Sequence, residues 1–389
     1  MKIYFKILSI FVLLAAMPGC IHDEVIIPQR TVLFYIAGEN SLDPYASANI
    51  KASIEGAVDN NLNGGHLLIY VDSRNDVPHL LKIIRNREGA IVTDTVKTYP
   101  EHNSASIEVM QGVIADVFRN RRFASHSTGL LLWSHGTSWL PSDIGTGGYL
   151  NPSLRAFGQD GRDWMEINML RDALDGYHFD FMIFDACYMA GVEVIYALRN
   201  NADYILASPT EVIAEGLPYR KAIKTMFSDQ PVDRIMQNLS SQFMNYYFAM
   251  QGLSQSASTV VVRTEGLDRL ASAARAVFSA KDSTTLYDLP LSQIQVLERL
   301  TANPFLYDFE DYASHLADGQ QLASLRNALN DVTVYKATTE QAFYANFPTR
   351  TFAVDSNRYC GMSAYIPQKG YTLLNNWYKR LDWYKAVYE

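Results

Sequence analysis

The chain has 389 residues, of which 48% are hydrophobic and 12% aromatic, enough to bury one large core or two ordinary ones. This composition excludes a disordered chain. A formal net charge of -8 and a pI near 5.5, with no basic run beyond the short cluster at 119–122, argue against a nucleic-acid-binding surface.

Residues 1–19 have the build of a bacterial signal peptide: two early lysines precede an apolar run at 7–16 that is too short for a membrane span. The run ends in MPGC, which resembles a lipobox, so we expect cleavage before Cys20 and lipidation of its thiol. Ordinary secretion is the alternative. The following IHDE resembles a surface-sorting signal of Bacteroidetes lipoproteins. The sequence thus predicts export and a lipid anchor in the outer membrane of a Gram-negative bacterium, with cell-surface exposure as a further option.

Five short apolar runs predict strands that are buried on both faces of a sheet. They lack polar alternation and stop at Gly or polar residues, which is typical of parallel strands. These runs are residues 31–38, 66–72, 129–136, 179–186 and 203–209. Helical spacing of apolar residues follows at 41–62, 104–122, 167–177 and 190–200. The alternation predicts an α/β sandwich with right-handed crossovers, and residues 79–100 predict a hairpin at its edge.

Two of the predicted strands deliver reactive side chains to one edge of the sheet, since the carboxyl ends of parallel strands gather there. The run 129–134 leads into His135 and Gly136, and the run 180–185 leads into Cys187. The imidazole can take the thiol proton, and the thiolate is a nucleophile. We expect a helix to begin just after Cys187 and its dipole to lower the thiol pKa. The backbone N–H groups of Gly136 and Cys187 are suited to hold an oxyanion, so the pattern predicts acyl transfer.

Each reactive residue has an alternative interpretation. A histidine after a strand is often structural, and a buried cysteine is usually inert packing. In an exported protein, Cys187 and Cys360 could instead form a disulfide. Together, however, His135 and Cys187 have the chain order and the spacing of about fifty residues that caspase-type peptidases show.

The residues around this pair resemble a known family. An apolar strand followed by SHG, and a later one followed by DAC, are the signature of caspase-like cysteine peptidases. The block FDACYMAGVEVIYALRNNADYILASPTEVIAEGLPY, residues 184–219, resembles the clostripain (C11) family in particular. The resemblance covers roughly residues 31–262 and, more loosely, GMSAYIP near the C-terminus. It implies a secreted endopeptidase that cleaves protein or peptide substrates after Arg or Lys through a thioacyl-enzyme.

The resemblance also implies a domain plan: a caspase-like sandwich with a mostly parallel central sheet and helices on both faces. We assign residues 20–30 to a lipid-anchored linker, 31–264 to the catalytic domain and 265–389 to a largely helical C-terminal subdomain. Predicted helices in the C-terminal part of the chain are 231–250, 265–281, 291–301 and the closing aromatic stretch 375–389. The predicted strands 331–337 and 359–367 are candidates to rejoin the sheet.

Family members select a basic residue with acidic groups in the S1 pocket, which binds the substrate residue P1. Asp185 matches the family's acidic position two residues before the nucleophile, and a bidentate contact would explain a preference for Arg. Its alternative role is to cap the next helix. Glu215 is our choice for the second acid and Glu211 is its rival.

Clostripain-like enzymes also resemble one another in being zymogens that are cut at a basic residue between the dyad members. The Gly- and Pro-rich segment 144–164 is a candidate for this processing loop. We predict autocleavage after Arg155, with Arg162 as the alternative.

No motif predicts a cofactor, since the eight histidines are scattered and HExxH, GxSxG and Walker sequences are missing. Some family members depend on calcium, but no stretch has DxDxDG-like spacing, so calcium stays open. Two rival functions remain. One is a catalytically inactive surface lipoprotein that uses the fold to bind protein or glycan. The other is a peptidase whose pocket accepts a residue that is not basic.

Overall fold

The computed structural model of the protein describes residues 27–141, 156–300, 303–345 and 350–389. Its strands are β1 Arg30–Gly38, β2 His66–Ser73, β3 Asp76–Arg85, β4 Ile91–Thr98, β5 Ser127–Trp133, β6 Phe157–Asp160, β7 Asp163–Met165, β8 Phe179–Asp185, β9 Ala202–Ala207, β10 Ser258–Arg263, β11 Leu306–Asp308, β12 Thr333–Thr338, β13 Gln341–Tyr344, β14 Arg350–Ala353 and β15 Ser363–Tyr365. Its helices are α1 Asp43–Asn60, α2 Ile107–Phe118, α3 Ile167–Ala173, α4 Val192–Ala197, α5 Tyr219–Met226, α6 Val232–Phe248, α7 Leu267–Phe278, α8 Ser283–Tyr287, α9 Phe309–Ser314, α10 Gly319–Val332, α11 Thr372–Tyr378 and α12 Asp382–Tyr388.

A nine-stranded sheet runs through the molecule in the order β12-β10-β9-β8-β5-β1-β2-β3-β4. The five central strands, β9, β8, β5, β1 and β2, are parallel to one another. They are the five apolar runs of the sequence, so that prediction is confirmed. The predicted hairpin at 79–100 is also confirmed, because β3 and β4 pair antiparallel at one edge.

The two faces of the sheet are covered by helices, which explains why the central strands lack polar alternation. In β1, Leu33 and Tyr35 face one core, whereas Val32 and Phe34 face the other. Helices α1, α5 and α6 pack over the second core, and α2, α3, α4, α7 and α12 pack over the first. This arrangement confirms the α/β sandwich.

The chain order of the strands places a topological switch point beside β1. From β1 the chain passes to β2 on one side, and it returns later to β5 on the other side. Segments leaving the carboxyl ends of β1 and β5 therefore diverge, and a crevice opens between them. The residues that follow β1, β5 and β8 line this edge.

One predicted helix, 291–301, is wrong. After Pro290 the chain makes only a single 3₁₀ turn at Leu291–Gln293 and then becomes extended. The Leu297 N–H donates to the Leu306 carbonyl at 3.0 Å. The buried Glu298 carboxylate accepts the backbone N–H groups of Leu300 and Phe305. These non-local bonds outweigh the local helical spacing.

The C-terminal strands separate. β12 joins the main sheet antiparallel to β10, whereas β15 pairs with β11 in a separate two-stranded sheet. The predicted strand 359–367 is shorter in the structure, because only Ser363–Tyr365 pairs.

The predicted signal peptide and Cys20 lie outside the described residues. Among the helices that the structure does describe, none combines the length and apolar character needed to cross a bilayer.

Candidate active site

His135 and Cys187 occupy matched positions at the carboxyl edge of the sheet. Strands β5 and β8 are parallel, and Trp133 is in register with Asp185. His135 comes two positions after Trp133, and Cys187 comes two positions after Asp185. Both side chains line one cavity of about 190 Å³. The sequence prediction that brought these two residues together agrees with this placement.

The loops that carry the two residues approach closely at Gly136. A Cβ atom at this position would lie 2.5 Å from the Cys187 carbonyl oxygen, a contact that backbone cannot relieve. Only glycine fits this approach. Neither the Gly136 nor the Cys187 N–H donates to another residue within the described part of the chain. Both groups are therefore available as oxyanion donors.

His135 is half-buried, and its ring contacts the segment that follows β1. Its Nε2 atom lies 2.8 Å from the Ser41 hydroxyl. The His135 carbonyl accepts the Gly158 N–H at 3.1 Å, which fixes the backbone. Burial lowers the pKa of the imidazole, so the ring is neutral at neutral pH and can accept a proton.

The turn at Cys187 is built from backbone pairing rather than from a helix. Tyr188 has φ 63°, a left-handed conformation that is unusual for a bulky residue. Its N–H donates to the Thr210 carbonyl at 3.0 Å, and the Ala190 N–H donates to the Ser208 carbonyl at 2.9 Å. The expectation that a helix begins just after Cys187 is wrong, because α4 begins at Val192.

The Cys187 thiol is set against the loop that follows β9. Its sulfur accepts the Val212 N–H at 3.2 Å and lies 3.5 Å from the Val212 carbonyl oxygen. Burial raises the pKa of the thiol, the charge of Glu211 raises it further, and the Val212 N–H partly offsets them. The pair therefore rests as a neutral thiol and a neutral imidazole instead of an ion pair.

The chain matches the model of the clostripain family, Peptidase C11, over residues 34–388. It belongs to the clostripain family of cysteine proteases. No curated protein matches the chain.

Three solved structures are similar to this clostripain-family chain. An inactive zymogen of a C11 protease from Parabacteroides distasonis is 40% identical, with a TM-score of 0.83 over 93% of this chain and 99% of that one. A secreted C11 cysteine protease from Bacteroides thetaiotaomicron, solved with an irreversible peptide inhibitor, is 29% identical, with a TM-score of 0.78 over 92% and 99%. Iotapain, a secreted C11 cysteine protease from the same species, is 22% identical, with a TM-score of 0.80 over 93% and 100%. These similarities confirm the caspase-like sandwich.

Asp185 lines the cavity and also holds a neighbouring loop. Its Oδ2 atom accepts the Tyr219 hydroxyl at 2.5 Å and the Leu217 N–H at 3.1 Å. Gly216, with φ 64°, packs so closely that a Cβ there would meet this carboxylate at 2.3 Å. The Oδ1 atom has no hydrogen-bond partner among the described residues. Burial raises the pKa of Asp185.

The two rival acids of the clostripain-like pocket differ in placement. Glu211 lines the cavity, where it accepts the Tyr188 hydroxyl at 3.0 Å and the Ala345 N–H at 3.1 Å. Glu215 is exposed and does not line the cavity. The structure therefore places Glu211 in the same cavity lining as Asp185 and leaves our first choice, Glu215, outside the cavity.

Three cavity contacts were missed by sequence reasoning. Ser41 touches His135, and Phe343 and Ala345 close the cavity from a distant part of the chain. The sequence signals Ser41 only by its position at the start of the predicted helix 41–62, three residues after a predicted strand. The other two carry no chemical signal in the sequence.

The candidate processing residues of this clostripain-family chain are not both described. Arg155 lies outside the described residues. Arg162 is exposed in the tight turn between β6 and β7, where Asp160 is paired with Asp163. A cut there would fall within a short paired hairpin.

A disulfide between the two remaining cysteines is not formed. Cys187 and Cys360 are both free thiols in the structure. Cys360 is buried, and its N–H donates to Asp308 Oδ2 at 2.7 Å. This alternative for Cys187 is therefore wrong.

Proposed function

We propose that this clostripain-family protein is a secreted endopeptidase that cleaves after a basic P1 residue, with Cys187 as nucleophile and His135 as general base and acid. The observation that carries this proposal is the placement of both residues two positions beyond the registered Trp133–Asp185 pair, lining one cavity.

The first half-reaction follows from the neutral resting pair. His135 accepts the thiol proton as the Cys187 sulfur attacks the P1 carbonyl carbon. The oxygen gains negative charge and is held by the Gly136 and Cys187 N–H groups. When the tetrahedral intermediate collapses, the peptide C–N bond breaks and His135 gives its proton to the leaving amine. A thioacyl-enzyme remains.

The second half-reaction releases the acyl group. His135 takes a proton from water, and the resulting hydroxide attacks the thioester carbonyl. The C–S bond then breaks, and the proton returns to the Cys187 sulfur. The carboxylic acid product leaves, and the neutral pair is restored.

Selection of a basic P1 residue is assigned to two carboxylates of the cavity. Asp185 and Glu211 both line the cavity, and no ion pair among the described residues involves either. A guanidinium presents a fork of N–H donors that two such acceptors can satisfy together. Glu211 therefore replaces Glu215 as our proposed second acid.

The proposal includes autocleavage after Arg155 and an N-terminal lipid on Cys20. Support for activation by cleavage comes from the relative that was solved as an inactive zymogen. N-terminal sequencing of matured protein tests the cleavage site. A new terminus at residue 156 supports it, and a terminus at residue 163 transfers the role to Arg162.

Support for export comes from the two relatives described as secreted. Metabolic labelling with a palmitate analogue, lost in Cys20→Ser, tests the anchor. If the wild-type protein is not labelled, the lipid anchor is ruled out and ordinary secretion is the remaining alternative.

Fluorogenic peptides that differ only at P1 test the activity itself. Wild-type protein under reducing conditions is expected to release fluorophore from Arg and Lys peptides, and not from Ala or Asp peptides. Cys187→Ala is the matched control and should be inactive. No turnover by processed wild type would favour the inactive binding protein, while equal turnover of Ala and Arg peptides would favour a pocket that is not selective for basic residues.

A further inference from the structure

Six basic side chains lie at the amino edge of the sheet, where the parallel strands begin and which is opposite the candidate active site. Three follow α2 in the turn that leads into β5, and three belong to the β3–β4 hairpin where it passes the start of β2. We call this group the basic face; its members are Lys82, Arg85, Arg87, Arg119, Arg121 and Arg122. The two segments that carry it, 82–94 and 119–126, contain only two acidic residues, Glu88 and Asp94. A chain with a formal net charge of -8 is therefore locally positive at this edge.

Contacts around Phe123 join the two segments into one surface. Lys82 Nζ lies 5.4 Å from the centre of the Phe123 ring, and the guanidinium carbon of Arg122 lies 5.8 Å from it. Burial lowers the pKa of Lys82, and the charge of Arg122 lowers it further. Asp94, which pairs across the strands with Lys82, opposes this effect. Like charges are thus held together, an arrangement that favours an anionic ligand.

The charge of the basic face is open to an external partner. Five of its six side chains are exposed and Lys82 is half-buried. No member forms an ion pair with a residue in the described ranges of the chain. Towards β8 the edge becomes neutral, because His178 is paired with Asp203 and Arg199 with Asp268. The positive charge is therefore confined to the β5–β1–β2–β3 part of the edge.

A cavity of about 240 Å³ opens beside the basic face, between the end of α1 and β3. His66, Lys82 and Arg85 are among its lining residues, and none of those residues is acidic. Arg85 is held at the cavity, since its Nε donates to Asn61 Oδ1 at 3.3 Å. Guanidinium and ammonium groups are the side chains that bind phosphate best. The cavity therefore has the lining that a phosphate-bearing headgroup requires.

The chain enters the fold directly beside this face. The Thr31 hydroxyl donates to the Phe123 carbonyl at 2.7 Å, which fixes the start of β1 against the turn after α2. The His126 N–H donates to the Pro28 carbonyl at 3.1 Å and extends this contact to the first described residues. Whatever precedes Ile27 in the chain therefore leaves the fold at the basic face.

The lipid proposed for Cys20 has only a short tether to this edge. Ile27 comes seven positions after Cys20, so the connection spans at most about 25 Å when fully extended. Ile27 and, near the end of α1, Val58 are exposed apolar side chains, at 44% and 54%. Basic side chains beside exposed apolar ones are typical of surfaces that lie on a membrane.

We propose that the basic face lies on an anionic bilayer and binds the phosphates of its lipid headgroups, while the lipid on Cys20 holds the chain there. The nine residues of β1 separate the two edges of the sheet by about 30 Å. His135 and Cys187 lie at the far edge, so their cavity opens away from the bilayer towards substrates in the medium. The orientation rests on the anchor of the proposed function; binding by the basic face depends on neither the anchor nor catalysis.

Sedimentation with vesicles tests the basic face by itself. The mature chain, residues 20–389, carries Cys20→Ser so that no lipid is attached and Cys187→Ala so that it stays intact. We expect it to bind vesicles of phosphatidylcholine and phosphatidylglycerol, mixed about three to one, but not vesicles of phosphatidylcholine alone. Binding should weaken at least tenfold when salt is raised to about 1 M, where the Debye length is about 3 Å.

Replacement of three arginines by Gln tests which residues bind the vesicles: Arg119→Gln, Arg121→Gln and Arg122→Gln. Each basic residue near an anionic surface strengthens binding about fivefold, so this variant should bind at least tenfold more weakly than the parent. The matched control makes the same change of charge at three exposed lysines elsewhere on the surface, Lys51, Lys221 and Lys369, and should bind as the parent does. Equal Tm values of the two variants show that both are folded.

Arg85→Gln combined with Arg87→Gln provides a second variant on the hairpin, in case the first does not fold, and should weaken binding about tenfold. The proposal is overturned if the parent does not bind the anionic vesicles at low salt, or binds phosphatidylcholine alone equally well. It is also overturned if the folded arginine variants bind as tightly as the lysine control. Binding that appears only after Asp23→Asn and Glu24→Gln would assign the basic face to the chain's own acidic linker instead.

Discussion

The backbone N–H of Val212 donates a hydrogen bond to the Cys187 sulfur at 3.2 Å. This contact ties the proposed nucleophile to the loop after β9, which also carries Glu211 into the cavity. The same loop thus supplies one group that stabilises a thiolate and one charge that opposes it. Reactivity of the thiol should respond to changes in this loop.

Neutralising Glu211 should activate the thiol while weakening recognition of Arg. Glu211→Gln keeps an oxygen for the Tyr188 hydroxyl but removes the charge that raises the Cys187 pKa. Since one pKa unit is a tenfold change in thiolate fraction, we expect iodoacetamide to alkylate Cys187 roughly three- to tenfold faster at pH 7. Turnover of an Arg peptide should fall at the same time.

Glu215→Gln is the matched control for this experiment, because Glu215 is exposed outside the cavity. It should change neither rate. If Glu215→Gln lowers Arg turnover and Glu211→Gln does not, Glu215 is the second acid of the pocket.

Asp185 is expected to select the substrate as well as hold its loop, and two variants separate these roles. Asp185→Asn removes the charge, so kcat/KM for an Arg peptide should drop roughly 10- to 100-fold, the effect of a charge-assisted hydrogen bond. Tyr219→Phe removes one hydrogen bond to the same carboxylate and leaves its charge. It should lower Tm but keep the preference for Arg over Ala. Equal loss of preference in both variants would show that Asp185 acts only through the loop.

The free energy of unfolding should decrease as the pH rises from mildly acidic to mildly alkaline, because of Glu193. This residue is buried, with Oε1 accepting the Tyr365 N–H at 2.8 Å and Oε2 without a partner among the described residues. Burial raises its pKa from 4.5 to about 7. The folded state therefore binds the proton more tightly, so this contribution is complete below pH 4.5 and is lost as pH rises through 7.

Glu193→Gln should remove up to about 3 kcal/mol of this pH dependence and make the variant more stable than wild type at pH 8. Urea unfolding at pH 5 and pH 8 measures the difference. The exposed Glu265→Gln serves as control and should keep the wild-type slope. An unchanged slope in Glu193→Gln would mean that the carboxyl is ionised throughout.

The central sheet and the shared position of His135 and Cys187 at its edge could be predicted because their signals are local. An apolar run such as 66–72 predicts a buried strand whichever strands lie beside it in the sheet. His135 and Cys187 each follow such a run. The expected helix after Cys187 failed because residues 188–190 pair with the distant segment 208–210, a contact that no local pattern encodes.

The remainder of the site depends on tertiary contacts. Glu211 and Glu215 both follow the predicted strand 203–209, and no sequence pattern distinguishes them. The fold decides which of them lines the cavity. Phe343 arrives from a strand far along the chain. Residues that are far apart in the sequence can be assigned to one cavity only when the topology of the fold is known.

Covalent labelling tests the central claim most directly. Mature wild-type protein is treated with a peptide acyloxymethyl ketone carrying Arg at P1, which alkylates a thiolate irreversibly with loss of its carboxylate, and the adduct is located by peptide mass spectrometry. We predict one adduct per chain, on Cys187, that is absent in Cys187→Ala and strongly slowed in His135→Ala. Labelling of Cys360 or another residue, or equal labelling by a ketone with Ala at P1, would contradict the proposed nucleophile or the proposed specificity.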